Sequence, residues 1–185
     1  LKDFDSPELA RQAEAAQKRA LDLFDVKGTE SQSKIRHEMG QSMEEGVGIY
    51  REEESMQKTI DTLKDLQKRL VNVGITDRGR VFNTEWMNRI ELGYTLDVAQ
   101  CMVHSAINRK ESRGSHQRLD GPNGAYKQRD DVNFLKHSLA FKQEGADEPR
   151  IELSDVKITT FQPAKRVYGA EAEAAEAARK AKEAK

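Results

Sequence analysis

One stretch, Asn83 to Asp120, limits the possible folds of this chain more than any other: NTEWMNRIELGYTLDVAQCMVHSAINRKESRGSHQRLD. Asn83 is an N-cap candidate, and apolar residues then recur at helical spacing through Trp86, Ile90, Tyr94, Val98, Cys101 and Met102. Leu92, Leu96, Ala99, Val103 and Ala106 fall off that stripe, so the helix is apolar on two sides. Such a helix is expected to lie buried between neighbours. It closes on a basic segment broken by Gly114.

The neighbours are readable upstream. Ser6-Pro7-Glu8 starts a helix, with serine as N-cap and proline at the first position, predicted to run to about Val26. Its inward residues would be Leu9, Ala13, Ala16, Ala20, Leu23 and Phe24, and Gly28 can supply its C-terminal turn. Ser31 or Ser33 starts a second helix carrying Ile35, Met39 and Met43, ended by Gly46-Val47-Gly48. A third begins near Glu52, and Met56, Ile60, Leu63, Leu66 and Leu70 form a narrow stripe of near-heptad spacing, the pattern of a bundle seam. The connector from Gly74 to Phe82 is short, so the third and fourth helices should run antiparallel. Short loops of this kind favour an up-and-down bundle.

Beyond Gly114 the pattern changes. Gly121-Pro122-Asn123-Gly124 carries strong turn residues. Leu135, His137, Leu139 and Phe141 alternate with Lys136, Ser138, Ala140 and Lys142, the period of a half-buried strand. Ile151 and Leu153 alternate again, while Val156 and Ile158 continue in the opposite parity, which predicts a bulge near Ser154-Asp155. Two strands alone are marginal in water, so this hairpin should lie on the bundle or on something outside the chain. The expected fold class is therefore mainly α: an antiparallel three-helix bundle with an extra N-terminal helix and a C-terminal β-hairpin extension. The organisation reads as a leading helix over 1–30, the bundle over 31–118, loop and hairpin over 119–169, and an Ala/Glu/Lys tail over 170–185. The tail has no large apolar side chain to dock it and is expected to be frayed or disordered.

Composition removes several functions. With 31 basic against 32 acidic residues, nothing favours general nucleic-acid or membrane-surface binding. A single cysteine excludes an internal disulfide and fits an intracellular chain. The longest apolar runs fall far short of the roughly 20 residues that cross a bilayer. Because residue 1 is Leu1, the chain reads as a fragment of a larger protein or a processed form.

Little of the chemistry-bearing content forms a site. Gly46-Val47-Gly48 lacks the preceding strand and third glycine of a dinucleotide fingerprint, and reads as a helix terminator. His37, His104, His116 and His137 have no metal spacing with each other, and Cys101 reads as a small buried apolar residue. Asp130-Asp131 are N-cap or turn candidates. The odd cluster is Arg109 to Arg118. Dipole compensation at a helix C-terminus, with Gly114 as cap, accounts for Arg109, Lys110 and Arg113. Ser115, His116 and Arg118 lie past that cap, and leave open an anion-binding or interdomain docking loop.

Four segments in order, KIRHEMGQSMEEGVGIYR, HSAINRKESRGSHQRLD, RDDVNFLKH and SDVKITTFQPAKRVYG, closely resemble the C-terminal region of fumarate reductase and succinate dehydrogenase flavoprotein subunits, above all the bacterial quinol:fumarate reductase branch. The resemblance covers roughly Ser33 to Gly169. It implies a spectrin-repeat-like bundle from a parent that carries covalently attached FAD and passes a hydride between the flavin and the fumarate/succinate pair. It also implies an iron–sulfur subunit as electron partner, membrane contact only through anchor subunits, and a location on the cytoplasmic face of the bacterial inner membrane. The flavin domain and the catalytic residues of that family lie upstream, so this chain would hold no catalytic residue and no metal, and would bind no FAD by itself. Arg113, Gly114 and His116 match the family's SRGxH loop, and Arg118 and Asp120 its fumarate reductase form. The implied interdomain docking loop is Arg113, Gly114, Ser115, His116 and Arg118, facing the flavin domain, and Arg113→Ala is expected to leave the chain's melting temperature nearly unchanged while weakening assembly of the full subunit. The alternative is a free-standing three-helix interaction module.

Overall fold

In a computed structural model, residues 6–122, 126, 129–143, 145–164, 168–170, 172–174 and 177 are described. The chain divides into two compact units, Leu1–Asp155 and Val156–Lys185. The first contains helices α1 (Pro7–Asp22), α2 (Gln32–Val47), α3 (Glu53–Leu70), α4 (Thr84–Asn108) and α5 (Asp131–Phe134). It also contains four strands, β1 (Tyr50–Arg51), β2 (Gln117–Arg118), β3 (Lys136–Phe141) and β4 (Arg150–Asp155).

Helices α2, α3 and α4 form the bundle. The capping residues act as their chemistry dictates: Ser31 accepts from Lys34 N on α2, and Asn83 accepts from Trp86 N on α4. Glu38 and Gly46 of α2 meet Arg69 and Thr59 of α3, and Leu70 and Gln67 of α3 meet Gly93 and Gln100 of α4. Rising numbers on one helix meet falling numbers on the next, so both pairs are antiparallel. The α3 seam is buried as its spacing requires, with Met56, Ile60, Leu63 and Leu66 all at or near zero exposure. Ile35, Met39 and Val47 face it from α2, and Leu92, Leu96, Ala99, Val103 and Ala106 from α4. Each such Leu, Ile or Met contributes about 1.5–3 kcal/mol of transfer free energy.

Four expectations need correction. The predicted first stripe of α4 is its outer side: Tyr94, Val98 and Met102 are exposed, and only the second stripe enters the core. Helix α1 ends at Asp22 and a 3₁₀ turn spans Leu23–Asp25. Leu9, Ala13 and Ala16 are exposed, because α1 meets the bundle only at its end, where Trp86 Nε1 donates to Ala20 O at 2.8 Å and Phe24 packs on the Trp86 ring. Cys101 is half-buried rather than interior.

The hairpin supplies the fourth. β3 and β4 pair one-to-one from Lys136↔Asp155 to Phe141↔Arg150, with no bulge, and β4 simply ends at Asp155. Directly opposed residues share a face. Ser138, Ile151 and Leu153 therefore lie on one side, where they line a small cavity against Ser105 and Asn108 of α4, while Leu139 and Phe141 lie on the other. The apolar residues of the two strands are on opposite faces. The hairpin does lie on the bundle, held at its base by Arg109, the residue that follows α4, and at its tip by an ion pair between Lys64 and Glu148.

In the second unit, 156–164 is irregular, and Ala172 N and Glu173 N bond to Gly169 O to begin a helical turn. The remainder of the expected disordered tail, like Asn123 and Gly124 of the predicted turn, lies outside the described residues. No described helix is long and apolar enough to cross a membrane.

Candidate functional site

The last turn of α4 leaves carbonyls without helical N–H partners, and these must be satisfied from outside. Arg118 does this. Its Nη1 donates to the carbonyls of Ala106, Ile107 and Arg109 at 3.4, 3.0 and 3.2 Å. Its Nε and Nη2 donate to the two carboxylate oxygens of Asp120, each at 2.7 Å, and the guanidinium lies 5.6 Å from the Tyr126 ring centre. The residue is 1% exposed. What carries Arg118 there is a short parallel pairing of β1 with β2, in which Gln117 N donates to Ile49 O and Leu119 N to Arg51 O, both at 3.0 Å. Asp120 in turn accepts from Glu53 N at 2.6 Å, capping α3 from a segment far along the chain. The Arg118 fork holds the Asp120 carboxyl down at about 2.

Glu111 is the second hub, at 0% exposure. One oxygen accepts from Arg109 Nη1 and Arg113 Nε at 2.6 and 2.8 Å, the other from Arg113 Nη2 and Asp130 N at 3.1 and 2.7 Å. Burial opposes its charge, but the Arg113, Asp130 and Arg109 donors outweigh this and leave its carboxyl below the usual range. Arg109 continues outward to Phe134 O and Lys136 O at 2.7 and 2.9 Å, tying the hairpin to the end of α4. Asp130 accepts from Val132 N and Asn133 N as the N-cap of α5.

His116 has a determined tautomer. Its Nε2 lies 2.9 Å from Arg109 O, a carbonyl that can only accept, so Nε2 carries the proton. Nδ1 is then free to accept from Arg51 Nη1 at 2.7 Å. Burial first, opposed by the bond to Arg109 O and aided by the nearby Arg51, Arg118 and Arg109 charges, lowers the titration point of this imidazole from its ordinary value. Arg51 also donates to Gly48 O at 2.6 Å, just past the end of α2, and Arg89 donates at 2.7 Å to the carbonyl of Leu70, the last residue of α3. All three bundle helices thus end on an arginine from another segment.

Of the five residues singled out in this loop, two turn inward and three line its rim. His116 and Arg118 are buried, Arg113 is half-buried against Glu111 and Asp131, and Gly114 and Ser115 are exposed. Arg113 and His116 exchange two backbone bonds across Gly114-Ser115, and Gly114 takes φ +60°, the glycine-first form of a tight hairpin turn. The loop packs into the end of the bundle through His116 and Arg118. Arg51 and Glu111 escaped the sequence reading. The signal for Glu111 is one acidic residue set among Arg109, Lys110, Arg113 and Arg118. Every guanidinium here meets a carbonyl, carboxylate or imidazole, so the arrangement positions backbone. Among the described residues no group of three or more His, Cys, Asp and Glu side chains gathers as a metal site.

Residues 36–168 match the family model described as the fumarate reductase flavoprotein C-terminal region. The chain is 61% identical to the fumarate reductase flavoprotein subunit of Serratia sp. over 91% of its own length and 27% of that protein. It is 38% identical to the succinate dehydrogenase flavoprotein subunit of Coxiella burnetii over 61% of its length and 18% of the relative. A solved Escherichia coli quinol fumarate reductase FrdA variant superposes with a TM-score of 0.79 at 56% identity, covering 90% of this chain and 28% of that one. The chain spans about a quarter of the length of such relatives.

Proposed function

The chain belongs to the fumarate reductase flavoprotein C-terminal family, and from that premise we propose that it is the structural and docking part of a subunit whose chemistry is performed elsewhere in the same polypeptide. The parent would be an FAD-dependent fumarate/succinate oxidoreductase that exchanges electrons with an iron–sulfur subunit. It would work at the cytoplasmic face of a bacterial inner membrane, held there by anchor subunits.

The residues of this chain do not fit FAD. Its single GxG, Gly46-Val47-Gly48, stands at the C-terminal end of α2, where the negative end of the helix dipole repels a phosphate. A Cβ on Gly46 would come within 2.0 Å of Thr59 Oγ1, so this glycine serves helix packing. No step through the flavin is assigned to these residues.

The observation that carries the docking role is the outer apolar face of α4. Met87, Tyr94, Val98 and Met102 recur at helical spacing, and each is more than half exposed. Such a stripe is the mark of a face that another surface covers. The loop would add its exposed rim, Arg113, Gly114 and Ser115, while His116 and Arg118 fix its shape from inside. The free-standing module is not favoured, since the relatives carry this stretch as a quarter of a longer chain.

The test compares the purified chain with the full-length subunit. The chain alone is expected to show no flavin absorbance and no oxidation of reduced viologen by fumarate, and the full subunit both. Turnover by the chain alone would overturn the assignment.

A further inference from the structure

The connector between α3 and α4 is built to hold one shape. Glu85 accepts from Thr76 N and Asp77 N at 2.9 and 2.7 Å, and Asp77 accepts from Gly79 N at 2.7 Å. Asn83, itself buried, donates to the carbonyls of Asp77 and Gly79 at 2.9 and 2.8 Å and accepts from Trp86 N. The hydrophobic product of this scaffold faces solvent: Val81 is 78% and Phe82 97% exposed.

Phe82 also takes φ +52°, and it is the sole described residue other than glycine at positive φ. A bulky aromatic in the left-handed region is strained, and such strain gathers at clamps and contact sites. No described ring or core residue of this chain uses the side chain. Arg78 and Arg80 flank the tip, both exposed and without an ion pair among the described residues.

We propose that Val81-Phe82 is a preformed anchor that seats in an apolar pocket rimmed by carboxylates on the upstream part of the same subunit. The inference rests on the reading of the chain as the C-terminal part of a longer flavoprotein. Three observations choose this occupant. The relatives extend over nearly four times the span matched here. The exposed Arg78 and Arg80, of which Arg78 also acts electrostatically on Glu85, complement carboxylates at the rim. An aromatic and its neighbour bury only a few hundred Å², far below the roughly 1,200 Å² that separate chains need, whereas a covalent link supplies a high effective concentration that makes a small anchor sufficient. Because the tip is already ordered, seating it costs little conformational entropy.

The experiment places the photo-crosslinking amino acid p-benzoylphenylalanine at position 82 of the full-length subunit, irradiates it, and maps the product by mass spectrometry. The expected product is an intramolecular crosslink to a segment upstream of Leu1. Crosslinks confined to this chain, to a second copy or to another subunit, or no crosslink at all, overturn the anchor. Phe82→Asn adds an independent arm, since asparagine tolerates the left-handed region. The melting temperature of the chain alone should rise by about 2 °C, while the segment 26–31 that precedes α2 should be cleaved roughly tenfold faster by a protease in the full subunit. Unchanged cleavage with a raised melting temperature rejects the anchor and leaves the domain assignment standing. Fumarate turnover by the chain alone would reject the domain assignment instead.

Discussion

Replacing Arg118 with methionine keeps an apolar-compatible volume and removes every donor of the guanidinium. Three carbonyls at the end of α4 then lose a donor, although Ala106 O keeps Arg109 N and Arg109 O keeps His116 Nε2, and the Asp120 carboxylate loses both of its charge-assisted bonds. Breaking a buried pair from one side costs about 3–5 kcal/mol. Because the Asp120 side chain is 20% exposed and can rehydrate, the lower half of that range applies. For a domain of this size each kcal/mol moves the midpoint by about 2–4 °C, so thermal melting followed by circular dichroism should fall by roughly 6–15 °C. Arg118→Lys keeps the charge but lacks the fork, and should fall between the two. A second readout is specific to the pair. A carboxyl depressed from its usual value to about 2 contributes stability that is present above about 4 and lost as pH falls towards 2. In Arg118→Met that acid limb should flatten. A midpoint within about 2 °C of the parent, with the acid limb intact, would refute the whole account of the loop.

Two further outcomes are expected. The His116 imidazole is held neutral by burial and by the Arg51, Arg118 and Arg109 charges, so its stabilisation is complete above its ordinary value of about 6.5 and is lost as pH falls below it. Melting temperature should decline between about pH 7 and 5, and less steeply in His116→Gln; His104, also depressed by burial, supplies a further share. On α2, Gly40→Ala meets nothing within 4 Å and should stabilise by about 0.5–1 kcal/mol, whereas Gly46→Ala drives a methyl into Thr59 and should destabilise by about 1–3 kcal/mol; chemical denaturation measures both.

The parts of the fold legible in the sequence are those in which one local signal had one meaning. The α3 stripe, the Ser31 and Asn83 caps and the Asp130 turn each resolve without knowledge of the rest of the chain. Helix α4 has two apolar stripes of similar strength, and periodicity alone carries no information about which one meets α2 and α3. The hairpin fails for the same reason: alternation gives the period of each strand but not which parity faces α4. At the loop, a run of cations at a helix end reads as dipole compensation. That Arg118 instead turns back to bond three carbonyls depends on a pairing with Tyr50-Arg51, more than sixty residues away, which no local pattern encodes.

That pairing also orders the folding reaction. Joining β1 to β2 closes a loop containing both α3 and α4, and such a loop is entropically unfavourable until the two helices have packed. The contact is therefore expected to form after α2, α3 and α4 have packed, so that Arg118→Met should speed unfolding and leave the folding rate nearly unchanged in stopped-flow measurements. Substitutions in it act on how long the folded chain survives rather than on how fast it is reached. The arginine that closes α4 is then expected to be a determinant of the folded domain's lifetime.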